Sequence, residues 1–241
     1  MSQTFLQVDA VSMVFGGLRA LNDVSFRMEK NEIVGLIGPN GAGKTTLFNV
    51  VSGYCPPTEG KVTYRGEDVT GAPPYRMAEK GVGRTFQVVK PFPGLTVLEN
   101  ATIAALLRHP RRTDAEHKAR EVLEFTGLTA RAGASAAGLT LAGRKRLEIA
   151  KALALEPDLL LLDEVVAGLN PTEADRTIEL ILKLKELGMT ILVVEHIMRV
   201  IMKISDRVVV LNYGEKIAEG RPAEVAANPV VIQAYLGEAA A

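Results

Sequence analysis

Ile33-Val34-Gly35-Leu36-Ile37-Gly38-Pro39-Asn40-Gly41-Ala42-Gly43-Lys44-Thr45-Thr46 is the stretch on which the fold turns. Ile33 to Ile37 is unbroken apolar sequence, the pattern of a strand buried on both faces of a parallel sheet. Gly38 to Thr45 then fits the phosphate-binding pattern G-x-x-x-x-G-K-[ST], and Thr46 continues it. Glycines let successive N–H groups turn toward an anion with no Cβ in the way. A helix starting near Gly43 adds its positive end, and Lys44 brings a full charge to the β- and γ-phosphates. The Thr45 hydroxyl suits Mg2+. Lys44 to Ser52 reads as that helix, closed by Gly53 with Pro56 and Pro57 beyond.

A second constellation lies downstream. Leu159-Leu160-Leu161-Leu162-Asp163-Glu164 is an apolar strand ending in two acids. An unpaired buried charge is costly, so paired carboxylates there imply a cation. Asp163 is expected to hold Mg2+, and Glu164 to polarise the attacking water as a general base. A solvated strand end is the plain alternative, and a P-loop in the same chain weighs against it. His196 follows the strand Thr190–Glu195, at the sheet edge where parallel sheets bind ligands. Its expected partner is the γ-phosphate. His109 and His117 read as ordinary structural or surface histidines.

The remaining chain organises around these pieces. Phe5, Val8, Val11, Leu21, Val24 and Phe26 alternate in strand fashion over the first 30 residues. From Val97 to Thr126 the period is helical, with a break at His109–Arg112. A helix from Pro171 to about Leu187 starts at Asn170-Pro171-Thr172-Glu173, a sound N-terminal signal. Arg207–Asn212 is a further strand, Tyr213-Gly214 a hairpin turn, and Pro222–Leu236 a helix.

Lys+Arg and Asp+Glu are both 28, so no global charge draws the chain to nucleic acid. The single cysteine, Cys55, forms no intrachain disulfide, and no secretory leader is evident. Both fit a reducing cytoplasm. No apolar run approaches the roughly 20 residues of a membrane span.

In order, these pieces resemble the ABC ATPases along nearly the whole chain. Gln87, in Gly83-Arg84-Thr85-Phe86-Gln87, resembles the Q-loop glutamine that senses Mg2+. Leu139-Thr140-Leu141-Ala142-Gly143 stands where the signature LSGGQ belongs. Asn170 falls in the D-loop, His196 matches the switch histidine, and Phe15 resembles the aromatic that stacks on adenine. The resemblance implies ATP and Mg2+ as cofactors. Gly38, Pro39, Asn40, Gly41, Ala42, Gly43, Lys44, Thr45, Thr46, Phe15, Thr140 and Ala142 would bind the nucleotide. Thr45, Gln87 and Asp163 would serve the metal, and Glu164, His196, Gln87 and Lys44 the hydrolysis. It also implies an α/β P-loop NTPase core with a mixed sheet, an N-terminal antiparallel β subdomain and an inserted helical subdomain. The nucleotide-binding core would span about 1–90 and 155–241, and the helical signature lobe about 91–154.

Gly81 to Gln87, Ala167 to Glu173, and the end from Asn228-Pro229 to Tyr235-Leu236-Gly237-Glu238 resemble the branched-chain amino acid importer branch. Urea, amide and aromatic-acid importers are close relatives. Such subunits work with transmembrane permeases, a second ATP-binding subunit and, indirectly, a substrate-binding protein. They sit peripherally on the inner face of the plasma membrane, and the segment Phe86, Gln87, Pro91, Phe92 and Pro93 would receive a permease helix.

The signature departs from its pattern. Thr140 keeps a hydroxyl, but Ala142 replaces the second glycine and Gly143 the glutamine, which implies a weakened site shared with the opposite subunit. Arg144-Lys145-Arg146 is either a phosphate-facing or a merely solvated basic turn. Asn170 is fully explained as an N-cap, and Phe15 fits a core strand aromatic as well as an adenine platform. Three other readings stand beside the importer: a lipopolysaccharide-type exporter ATPase, a soluble ABC protein and an ATP-binding scaffold. Guanine nucleotides are disfavoured, because no Asn-Lys-x-Asp segment is present.

Overall fold

The apolar strands and capped helices read from the sequence form along the chain in a computed structural model, which describes residues 4–89 and 91–237. Glu238 and the terminal Ala239, Ala240 and Ala241 lie outside the described residues. In chain order the elements are β1 (Thr4–Phe15), β2 (Leu18–Glu29), β3 (Ile33–Ile37), α1 (Lys44–Val51), β4 (Glu59–Tyr64), β5 (Glu67–Asp68), α2 (Pro74–Glu79) and β6 (Val82–Arg84). There follow α3 (Val97–Ala105), α4 (Arg112–Phe125), α5 (Leu141–Ala154), β7 (Leu159–Asp163), α6 (Pro171–Glu186) and β8 (Thr190–Val194). The chain closes with α7 (Met198–Ile204), β9 (Arg207–Asn212), β10 (Glu215–Gly220), α8 (Pro222–Ala226) and α9 (Pro229–Gly237).

These elements gather into two compact units. One runs to Met77 and resumes at Lys185; the other is Ala78–Leu184. The first holds an antiparallel sheet in the order β2-β1-β4-β5. Its alternating apolar positions, among them Leu6, Val8, Leu21 and Val24, are buried, and Phe5 meets Tyr64 edge to face at 5.3 Å. The same unit holds β10-β9-β3-β8, in which β3 runs parallel to both β8 and β9 while β10 folds back antiparallel. Every residue of β3 and of β8 is buried. Such strands carry no alternation, which is why they read as continuous apolar runs.

In the second unit β6 runs parallel to β7, pairing Val82, Gly83 and Arg84 with Leu159, Leu160 and Leu161. Helices α3, α4 and α5 pack on one another. A capping box starts α3: the Thr96 hydroxyl accepts from the Glu99 N–H at 3.1 Å, and the Glu99 carboxylate accepts from the Thr96 N–H at 2.8 Å. The same reciprocal pair, Asn170 with Glu173, starts α6 at 2.9 and 3.1 Å.

Two features differ from expectation. The helix expected from Pro222 to Leu236 is two helices, parted at Asn228-Pro229. Pro229 has no N–H and disfavours helical geometry in the residue before it, so it can only begin a new helix. Asn228 then accepts from the Val230 N–H at 2.9 Å. Strand β6 is too short for its period to register in the sequence. Among the described residues no helix is long and apolar enough to cross a membrane.

The entrance to β3 is held by charge. Arg207, opening β9, grips both carboxylate oxygens of Glu32 at 2.8 and 2.9 Å and also pairs with Glu219. The hydrogen bonds to Glu32 are the chief reason its pKa lies above the usual arginine value. The Arg207→Gln variant is expected to lose about 2 kcal/mol of stability in urea titration, the scale of charge-assisted hydrogen bonds. Arg207→Lys should recover less than half of that, because an ammonium cannot fork. An unchanged urea midpoint for Arg207→Gln would remove this pair from the account.

Candidate functional site

Strand β3 delivers the chain into a loop that must turn sharply before α1 can start. Gly43 makes the last step, with φ 97° and ψ 1° at the N-cap of α1. A Cβ there would lie 2.7 Å from the Ala20 carbonyl and 2.8 Å from the Leu21 side chain, so the position has room only for glycine. The loop is tied from outside: the Gly214 N–H donates to the Ala42 carbonyl at 3.1 Å, and the Asn22 N–H to the Gly214 carbonyl at 2.8 Å.

Lys44 is the first residue of α1 and is buried. Its Nζ donates to the carbonyls of Gly38 and Pro39 at 2.7 and 2.6 Å. Both of these acceptors are neutral backbone carbonyls. No side chain caps α1, and its first turn carries no acidic residue. Helix N–H groups and an ammonium thus sit together at one helix start, the chemistry of a phosphate site. Thr45 is exposed there and Thr46 half-buried. Phe15 ends β1 with half its surface exposed, which removes it from the core. His196 follows β8 and is exposed.

The second unit holds the acids. Asp163 ends the fully buried β7 and is itself 4 % exposed. The segment leaving β6 runs beside it and holds it at successive residues. Arg84 forms an ion pair with the Asp163 carboxylate at 3.6 Å. The Thr85 hydroxyl accepts from the Asp163 N–H at 3.0 Å, and the Thr85 N–H donates to the Leu161 carbonyl at 2.9 Å. Gln87 then donates from Nε2 to a Glu164 carboxylate oxygen at 2.8 Å. Burial pushes the Asp163 pKa up; the Arg84 guanidinium opposes that, while neighbouring Glu164 adds to it.

Glu164 has φ 47°, a left-handed conformation that costs a non-glycine residue of order 1 kcal/mol or more. Lys145, buried on α5, donates its Nζ to the Glu164 carbonyl. The basic run 144–146 therefore has a use that neither sequence reading foresaw. Arg144 likewise turns back, donating to the carbonyls of Leu139 and Ala137 at 2.9 and 3.2 Å. Thr140 is the N-cap of α5, its hydroxyl accepting from the Gly143 N–H at 3.2 Å. Ala142 is buried in the first turn of that helix.

The sequence assigns Gln87, Asp163 and Glu164 to one site; in the structure Gln87 hydrogen-bonds Glu164, the residue that follows Asp163. The sequence alone gives no role to Arg84 or Thr85, and leaves Lys145 as one residue of a basic turn that faces phosphate or solvent. Thr85 and Arg84 lay inside a quoted motif, and the only signal for them was adjacency to Gln87. The contact of Lys145 with the Glu164 carbonyl has no sequence signal, because it joins two separate elements.

Residues 21–167 match the ABC transporter family, and residues 215–241 match the family of branched-chain amino acid ATP-binding cassette transporters. The chain is 43 % identical to the high-affinity branched-chain amino acid transport ATP-binding protein BraF of Pseudomonas aeruginosa, over 99 % of this chain and 100 % of that protein. It is 45 % identical, over the same shares, to the correspondingly described LivG of Salmonella typhimurium. A nucleotide-free ATP-binding cassette from an ABC transporter is similar in structure, with TM-score 0.89 and 31 % identity over 97 % of this chain and 99 % of that one. The ADP conformation of MJ1267, an ATP-binding cassette of an ABC transporter, gives TM-score 0.88 and 30 % identity over 98 % and 100 %.

The raised pKa of Asp163 has a stability consequence. The folded state holds this proton more tightly than the unfolded chain, so the group's contribution falls as pH rises from the ordinary aspartate value of 3.8 through the folded pKa. Asp163→Asn keeps an acceptor for Arg84 and never ionises. Urea midpoints taken from pH 4 to pH 8 without nucleotide should show the variant gaining on the wild type as pH rises, then levelling. A constant difference across that range would mean that the carboxylate is not penalised by its burial.

Proposed function

Because this chain belongs to the ABC transporter family of ATP-binding proteins, whose members hydrolyse ATP to power transport, we propose that it drives a membrane importer for branched-chain amino acids or related amides. The observation that carries the reading is the pairing of two charge arrangements in one chain. One is the ammonium of Lys44 at an uncapped helix start. The other is the acid pair Asp163 and Glu164 held by Arg84, Thr85 and Gln87.

In this reading the N–H groups of the loop from Gly38 to Thr46 bind the β- and γ-phosphates. Lys44 exchanges its carbonyl partners for phosphate oxygens, trading neutral acceptors for charged ones, which roughly doubles the strength of each hydrogen bond. Phe15 presents its ring to adenine, and His196 hydrogen-bonds the γ-phosphate. Glu164 takes a proton from the attacking water, and Gln87 fixes the plane of that carboxylate so that it meets the water squarely. The residue types suit Mg2+: the hydroxyl of Thr45 and the buried, penalised carboxylate of Asp163 would hold it, and Gln87 would serve it as well. When bound, Mg2+ neutralises charge on the β- and γ-oxygens. Catalysis is then mostly positioning and electrostatics.

The working form is a dimer of ATP-binding subunits, in which Thr140 and the Ala142 N–H of one copy reach the γ-phosphate of the other. The Thr140 hydroxyl accepts from Gly143 in this structure, and it can still donate its own proton to a phosphate. Transmembrane permeases recruit the pair to the inner face of the membrane, and a substrate-binding protein feeds those permeases. The segment from Phe86 to Pro93 receives a permease helix, and residues 91–154 form the helical signature lobe. Phe86 and Phe92 are exposed there.

ATP turnover and oligomeric state distinguish this function from that of an ATP-binding scaffold. With Mg-ATP the wild type should turn over, while Glu164→Gln should lose at least about a hundredfold in rate and accumulate as an ATP-dependent dimer. Lys44→Ala should lose nucleotide binding itself. Equal turnover by wild type and Glu164→Gln would overturn the assignment of the general base.

A further inference from the structure

The pair formed by Arg84 and Asp163 is the least expected feature of the acid half. Their side chains are 12 % and 4 % exposed, and the approach is 3.6 Å, an ion pair longer than a tight charge-assisted hydrogen bond. Asp163 is also the carboxylate proposed to hold Mg2+. One carboxylate thus has two cationic claimants.

Arg84 already has a second partner besides Asp163. Its guanidinium carbon lies 5.0 Å from the centroid of the Phe86 ring, within cation–π range. The two residues are two apart where the chain leaves β6, so in extended backbone their side chains share one face. Thr85, on the opposite face, keeps its bonds to the Asp163 N–H and the Leu161 carbonyl whatever Arg84 does. The Thr85 contacts therefore hold the end of β7 independently of Arg84. Phe86 is 43 % exposed, so a change in Arg84 reaches the surface.

We propose that Arg84 is a positioning residue that stands in for Mg2+ at Asp163 and shifts toward the Phe86 ring when the cation arrives. The inference rests on the reading that Asp163 holds Mg2+. Repulsion drives the shift: a dication at the carboxylate offsets the attraction that held the guanidinium and adds a like charge beside it. The ring offers the guanidinium a partner that needs no carboxylate. The metal state of Asp163 is thereby written onto the exposed segment that starts at Phe86, without any movement of β7.

The chain contains no tryptophan, so a Phe86→Trp variant carries one unambiguous fluorophore beside Arg84. The ADP-loaded chain is titrated with Mg2+, and tryptophan emission is read alongside Mg2+ affinity from calorimetry. Emission should change as Mg2+ binds with Arg84 in place. With Arg84→Met added, the emission change should vanish while Mg2+ binds about three- to tenfold more tightly, because a competing cation has been removed. Arg84→Lys guards against misfolding as the cause: it keeps the charge, so Mg2+ affinity should stay within about twofold of the parent while the emission change shrinks. An emission change that persists in Arg84→Met, or Mg2+ binding that is unchanged or weaker there, overturns the stand-in role. If the parent shows no Mg2+ binding to its ADP complex, the assignment of Asp163 fails first and the inference falls with it.

Discussion

A buried ammonium held by two backbone carbonyls is the constraint on which the first unit is built. Lys44 is buried, and the Gly38 and Pro39 carbonyls accept from its ammonium. Such an arrangement persists only if its surroundings fix it. They do so in layers. Gly43 makes a turn that no side chain could make, Gly214 ties the loop from a neighbouring hairpin, and β3 anchors it between β8 and β9. That sheet, with the Arg207–Glu32 clamp at its base, fixes a buried ammonium at the start of α1.

The second unit poses the same problem with opposite sign. A carboxylate ends the all-buried strand β7, and its raised pKa registers the cost of holding it there. Short-range compensation comes from the chain leaving β6, which gives a guanidinium, a hydroxyl and an amide to consecutive features of the acid pair. Glu164 adds backbone strain, and Lys145 reaches from α5 to hold its carbonyl. Buried charge and strained backbone are concentrated at one strand end, the combination that makes it the candidate site of chemistry.

Legibility in the sequence tracked the range of the physics. Ile33 to Thr46 could be read because strand, turn and helix follow one another with no distant partner. The N-cap at Asn170 could be read for the same reason, since both halves of its capping box lie within one turn. Where two neighbours competed, the sequence left the answer open: the exposure of Phe15 settled its place outside the core, which a pattern of alternation could not. The C-terminal helix was read as one because its apolar period continues across Asn228-Pro229, and the proline overrides the period. Arg144 and Lys145 were read as facing phosphate or solvent. Arg144 is exposed and also donates to nearby carbonyls, while Lys145 reaches the Glu164 carbonyl, a contact that exists only once α5 and the end of β7 are packed.

The central claim is that the charge of Lys44 waits for phosphate at the start of α1. A crystal structure of the Glu164→Gln chain with Mg-ATP tests it most directly. The account predicts the β- and γ-phosphates against the N–H groups of the loop from Gly38 to Thr46, with Lys44 Nζ moved from the Gly38 and Pro39 carbonyls onto phosphate oxygens. Nucleotide bound elsewhere, or Lys44 still on those carbonyls with phosphate in place, would contradict it.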